Sequence, residues 1–158
     1  MKHKVVSATL LMICLAAMYM GLAQAAQAET CSTAKAAGKW GFTTNGTVVG
    51  IGPRDSLGIF TLDEAGNLLN AKATSSLNGS VTDEKFSGTY TVNPDCTGKL
   101  AIQIFDLSGN NILTATLDLV FDNDVRELRA IFTSAVLPNS TPLATVITVQ
   151  AKRLFSDH

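Results

Sequence analysis

Lys85-Phe86-Ser87-Gly88-Thr89-Tyr90-Thr91-Val92 is the stretch that decides the fold. Phe86, Gly88, Tyr90 and Val92 alternate with Lys85, Ser87, Thr89 and Thr91, and an extended backbone sends successive side chains to opposite faces. One face is therefore apolar and the other polar. Comparable period-two runs recur between turn signals at intervals of roughly a dozen residues, and helical periodicity is hard to find after residue 38. The pattern predicts strands over 38–49, 57–63, 68–76, 85–93, 98–106, 111–121, 125–136 and 143–155, with a bulge or break in the first at Asn45-Gly46. Eight meandering antiparallel strands hide both sheet edges by closing on themselves. The expected fold is thus all-β, an up-and-down barrel, with a β-sandwich as the fallback.

The turns repeat a formula. Asp63-Glu64-Ala65-Gly66, Asp95-Cys96-Thr97-Gly98 and Asp106-Leu107-Ser108-Gly109 all read D-x-x-G. Asp caps the backbone of a type I turn and Gly accepts the positive φ that closes a bulged hairpin. These carboxylates have a structural job, and the spacing is not that of a calcium loop. Between the sixth and seventh strands, a two-residue turn at Asn123-Asp124 sets Leu119 opposite Leu128, Leu117 opposite Ala130 and Ala115 opposite Phe132 on one face. It sets Asp118 opposite Arg129 and Val120 opposite Glu127 on the other. The face of Leu113, Ala115, Leu117, Leu119 and Phe121 is the more apolar and is expected to be the interior. Two polar stretches read as connections: Gly50–Ser56, and Asn78–Glu84, which is expected to be mobile.

The first residues form a separate unit. Met1–Lys4 is basic, Val5–Leu22 is nearly all apolar, and Ala23-Gln24-Ala25 and Ala26-Gln27-Ala28 are A-x-A sites, the plan of a signal peptide helix over 1–28. Ile13 before Cys14 is too bulky for a lipid-attachment site. Cleavage after Ala28 removes 28 of 158 residues and leaves 130 (29–158), a single barrel domain that is secreted or periplasmic. Two lysines go with the leader, so 10 Lys+Arg face 13 Asp+Glu, a net charge of −3. Mild acidity without a basic run argues against nucleic acid. With His3 removed, only His158 remains, and the body of the domain lacks material for a Ser-His-Asp triad or a multi-His metal site. No catalytic residue, metal or cofactor is assigned. Cys31 and Cys96 remain, an even number in an exported chain, and are expected to form a disulfide.

Gly38-Lys39-Trp40 opens the first strand and Lys152-Arg153 stands near the end of the last. This resembles the calycin arrangement of lipocalins and avidins, in which a G-x-W meets a basic side chain from the final strand. The resemblance implies a ligand-holding interior and a barrel-end plug made of Trp40 and Arg153. It also lets Gly50–Ser56 serve as a lid, against the plainer reading as a solvated loop. Gly88-Thr89-Tyr90-Thr91-Val92-Asn93-Pro94-Asp95-Cys96-Thr97-Gly98 is similar to a G-x-Y-x-V-N-x-D-C-T-G motif of exported bacterial proteins, which transfers no function.

The leading functional expectation is a barrel that binds a small apolar or amphipathic molecule without catalysis, through Trp40, Phe42, Tyr90, Leu117 and Phe132. The alternatives are a filled barrel that forms a homo-oligomer through Ile112, Val120 and Ile131, and a cavity-steering enzyme of the allene oxide cyclase kind. Stable membrane insertion after leader removal is not expected, because one Trp and outward rows such as Lys85, Ser87, Thr89 and Thr91 do not suit a lipid-facing barrel.

Overall fold

The computed structural model describes residues 30–122 and 124–154. The leader reading at 1–28 lies outside the described residues. A single helical turn, α1 (Thr33–Ala36), precedes eight strands: β1 (Gly38–Val48), β2 (Gly52–Leu62), β3 (Asn67–Leu77), β4 (Ser80–Val92), β5 (Thr97–Phe105), β6 (Asn111–Asp122), β7 (Glu127–Val136) and β8 (Thr145–Arg153). Each strand pairs antiparallel with the next, and β8 pairs with β1 from Trp40↔Arg153 to Val48↔Thr145. The fold is a closed eight-stranded up-and-down barrel, and no sheet edge is left open.

Closure needs curvature, and small residues and bulges supply it. Gly58 faces inward opposite Phe42, and a Cβ there would overlap the Lys72 carbonyl oxygen and the Phe42 ring. Register shifts interrupt the β2–β3, β3–β4, β5–β6 and β6–β7 pairings, each letting a strand bend around the core. The inward rows of β6 and β8 are buried as the alternation requires: Ala115, Leu117, Leu119 and Phe121 on one, Ile147, Val149 and Ala151 on the other.

Several expectations change. β1 runs unbroken through Asn45-Gly46. β2 begins at Gly52, so Gly50–Ser56 is mostly strand and the β1–β2 connection is only 49–51. Likewise β4 begins at Ser80, and the expected mobile stretch Asn78–Glu84 is a tight turn, with Asn78 at φ 50° and Gly79 at φ 86°, followed by strand. Polar composition misled in both cases, because each stretch is strand whose buried positions are themselves polar, Arg54 and Ser56 in one and Glu84 in the other. Two of the three D-x-x-G turns form as expected, with Asp63 and Asp106 accepting from the N–H groups of Asn67 and Asn110. The third is displaced: Asn93 leads it, Cys96 N–H reaches Asn93 O, and Cys96 takes the left-handed position at φ 68° that Gly66 and Gly109 occupy in the others.

The β6–β7 register also differs. Asp122 pairs with Glu127, Leu119 with Ala130 and Leu117 with Phe132, two residues away from the tight-turn expectation. The cause is Val125, which is buried beneath the barrel instead of beginning the strand, at a φ of 60° that β-branched residues rarely adopt. A longer connection results, and the Asp118–Arg129 and Val120–Glu127 pairings do not form. Asp118 instead meets Lys99 at 2.7 Å, Arg129 meets Asp122 at 2.7 Å, and Glu127 meets Lys152 at 3.2 Å.

Candidate functional site

The meander places the β2–β3, β4–β5 and β6–β7 turns, with α1, at one end of the barrel. Trp40 is wholly buried there. Its Nε1 donates to Ala36 O at 3.1 Å, and its ring stacks on Phe60 at 6.3 Å and meets Phe121 edge-on at 6.0 Å. Arg153 lies over the indole with Cζ 5.4 Å from the centroid and donates to Lys35 O. The Tyr90 hydroxyl sits 2.7 Å from Asp63 O and 3.0 Å from Thr33 O, so one phenol ties α1 to the β2–β3 turn. Burial, reinforced by the Asp63 carboxylate, pushes its pKa up to about 12. The Cys31–Cys96 disulfide closes the arrangement covalently, linking the N-terminal segment to the β4–β5 turn. Such a bond suits an oxidising compartment.

Above this floor the lumen has two unlike walls. Phe42, Phe86, Leu100, Ile104, Leu117, Phe132 and Val149 make it largely apolar. Beside Phe42 and Phe86, and partly on the same strands, β1 to β4 contribute a buried polar cluster. Arg54 Nη2 lies 2.8 and 3.0 Å from the two Glu84 oxygens and 3.2 Å from Ser75 Oγ, with both charged side chains only 10 % exposed. Thr44 and Ser56 hydroxyls share a hydrogen bond of 2.6 Å beside them. Taking two ions out of water is costly, and the cluster makes hydrogen bonds where an apolar core would need none. The free space between the walls is about 50 Å³, enough for a few waters, whereas drug-sized ligand sites occupy several hundred. A larger concavity of about 1020 Å³ lies open along outward-facing residues, among them Thr43, Leu57, Lys72, Lys85 and Lys152. It is broader, and Glu84, the one buried polar residue along it, has its carboxylate bound to Arg54 in the lumen, so the lumen is where chemistry converges.

Of the residues proposed from sequence, Phe42, Leu117 and Phe132 line this space. Trp40 and Tyr90 lie in the closed end, below the lining. The sequence reading passed over Arg54, Glu84, Ser75, Thr44 and Ser56. A signal existed for three of them: stepping back by twos from Phe60 reaches Gly58, Ser56 and Arg54, and one such step from Phe86 reaches Glu84. Among the described residues no group of His, Cys, Asp or Glu side chains could hold a metal, and no helix is long and apolar enough to cross a membrane.

Two solved structures resemble this chain. One is EF1p2_mFAP2b bound to DFHBI, with a TM-score of 0.54 and 14 % identity over 77 % of this chain and 98 % of that one. The other is a redesigned beta barrel, mFAP0, bound to DFHBI, with a TM-score of 0.47 and 16 % identity over 74 % and 97 %. The first likeness shows a shared small β-barrel fold. No protein-family model matches the chain, and no curated protein does.

Proposed function

We propose that the protein is an exported barrel that binds a small amphipathic molecule in its lumen and performs no chemistry on it. The observation that carries this reading is the Arg54–Glu84 pair, with the Ser75, Thr44 and Ser56 hydroxyls beside it, set into a largely apolar interior. A buried ion pair contributes little to stability compared with apolar side chains of the same volume, so its presence is better explained by a polar group that it orients. The apolar part of the ligand packs against Phe42, Leu117 and Phe132, and its polar group reaches Arg54 and Glu84. Trp40 and Arg153 serve as the plug of the opposite end. With about 50 Å³ free at rest, binding requires Phe42 or Phe86 to change rotamer, and the ligand is slender. EF1p2_mFAP2b, which shares the barrel fold, is bound to DFHBI, so the architecture is compatible with holding a small molecule.

Native mass spectrometry of the protein from its own host, followed by solvent extraction, tests this. The expected result is a stoichiometric small molecule on a monomer, lost in the Arg54→Met/Glu84→Leu variant while the fold persists. The small free volume favours a second reading, a filled barrel that assembles with itself through Ile112, Val120 and Ile131, which are exposed. A clean apo-oligomer would establish that reading and remove the first.

A further inference from the structure

Arg54 enters the lumen with much of its hydrogen-bonding capacity unused. The residue is only 8 % exposed, and among the described residues every hydrogen bond of its side chain leaves from Nη2, to the Glu84 oxygens and to Ser75 Oγ. The guanidinium also carries N–H donors on Nε and Nη1, and it has no acceptor. These two nitrogens are not sealed away, because Arg153 Nε is the one buried side-chain nitrogen or oxygen without a partner among the described residues. Arg54 lines the free space of about 50 Å³ beside Thr44, Ser56 and Phe42. Both Glu84 oxygens, in contrast, are already held by Nη2. What this corner of the lumen offers a visitor is therefore donors.

The corner is also balanced in charge. Among the residues that line the free space only Arg54 and Glu84 are ionisable, one cation and one anion joined in an ion pair. A carboxylate placed on Nε and Nη1 would set a second anion near Glu84 with one cation between them. An ammonium would meet donors and add a second cation. Either leaves a net charge in a largely apolar interior, where an uncompensated ion is costly. A carbonyl oxygen accepts from the same N–H groups and leaves the pair balanced. We propose that the lumen selects a neutral carbonyl compound with a slender hydrocarbon chain, a ketone, aldehyde or ester, and discriminates against the matching carboxylate. This rests on the lumen being a binding site and names the ligand class that its donors and charge balance fit. The carbonyl oxygen accepts from Arg54, and the chain packs against Phe42, Leu117 and Phe132.

Methyl nonyl ketone, decanoate and undecane test this, because the first two share a nonyl chain and differ at the head, and the third has no polar head. Each is titrated by calorimetry at neutral pH into the protein from its host, stripped of bound molecules on a hydrophobic resin. The ketone is expected to bind about tenfold or more tightly than decanoate and than undecane. In Glu84→Gln the order of ketone and decanoate should reverse, since Arg54 then carries a charge that the carboxylate neutralises. In Arg54→Met/Glu84→Leu, which needs no ion pair to fold, ketone and undecane should bind alike. The near-ultraviolet circular dichroism of Trp40, buried at the closed end, verifies the fold of each variant. Decanoate binding the wild type as tightly as the ketone, an unchanged order in a folded Glu84→Gln, or a ketone preference that survives in the double variant would each overturn the ligand class while leaving a lumen that binds. Failure of the wild type to bind any of the three would remove the binding reading and this inference together.

Discussion

The closed end and the lumen above it are built from opposite materials. At the closed end, the disulfide, the Trp40–Ala36 and Tyr90–Thr33 hydrogen bonds and the Arg153 stack all bind the N-terminal segment to the barrel floor. Among the described residues, Arg153 Nε is the one buried side-chain nitrogen or oxygen there without a hydrogen-bond partner. In the lumen, Arg54, Glu84, Ser75, Thr44 and Ser56 are buried although apolar residues would fill the same positions. Polarity in a barrel core therefore has two uses, to fasten the chain and to present groups to something else, and only the second is hard to justify by stability.

Five measurements break or sharpen that contrast. Replacing both bridging cysteines, Cys31→Ser/Cys96→Ser, should cost about 4 kcal/mol in denaturant unfolding, since the closed loop spans 65 residues. A loss below about 1 kcal/mol would mean that Trp40 packing alone holds the floor. Next, Glu84→Leu alone should cost about 3 kcal/mol by leaving Arg54 unpaired, whereas Arg54→Met/Glu84→Leu should unfold at or above the wild-type midpoint. If the double variant proved as unstable as the single one, the pair would be structural and the contrast would fail.

Tyr90→Phe should cost about 1–2 kcal/mol, because it removes the one donor shared by two carbonyl oxygens. The same residue predicts an alkaline limit. Its pKa is raised from 10.0 to about 12, so the folded state favours the neutral phenol. That contribution is complete below pH 10 and is lost as pH rises through 12. The difference in phenolate absorbance between wild type and Tyr90→Phe should stay flat through pH 10. The smallest effect belongs to the turns. Hydrogen bonds from the Asn67 and Asn110 side chains, then from their backbone N–H groups, hold Asp63 and Asp106 below the ordinary value of 3.8. Their contribution is present above that value and lost as pH falls through the lower folded pKa. Nuclear magnetic resonance titration should place both midpoints below 3.8 in the wild type, with Asp63 returning upward in Asn67→Ala.

The fold was legible because barrels write themselves locally. The alternation in Lys85–Val92 and the Asp63 and Asp106 turns depend on backbone stereochemistry and on neighbours a few residues away. Phe42, Leu117 and Phe132 were legible as lining for the same reason. Arg54 and Glu84 were not, because a charged residue in a sequence reads as the end of a strand unless its partner is known, and these two are 30 residues apart. The β6–β7 register failed on a single side chain, Val125, whose burial in the floor outweighed the tighter turn that Asn123-Asp124 suggests.

The sequence by itself determined the strand number, the inward rows and the cysteine pair, since each follows from period-two alternation, turn chemistry or an even thiol count. Only the tertiary structure decided that the sheet closes β8 onto β1, that Arg54 faces Glu84, and that about 50 Å³ stays free between the walls. Those are properties of closure: they depend on how side chains from eight strands share one interior, and no local pattern encodes the space that such packing leaves.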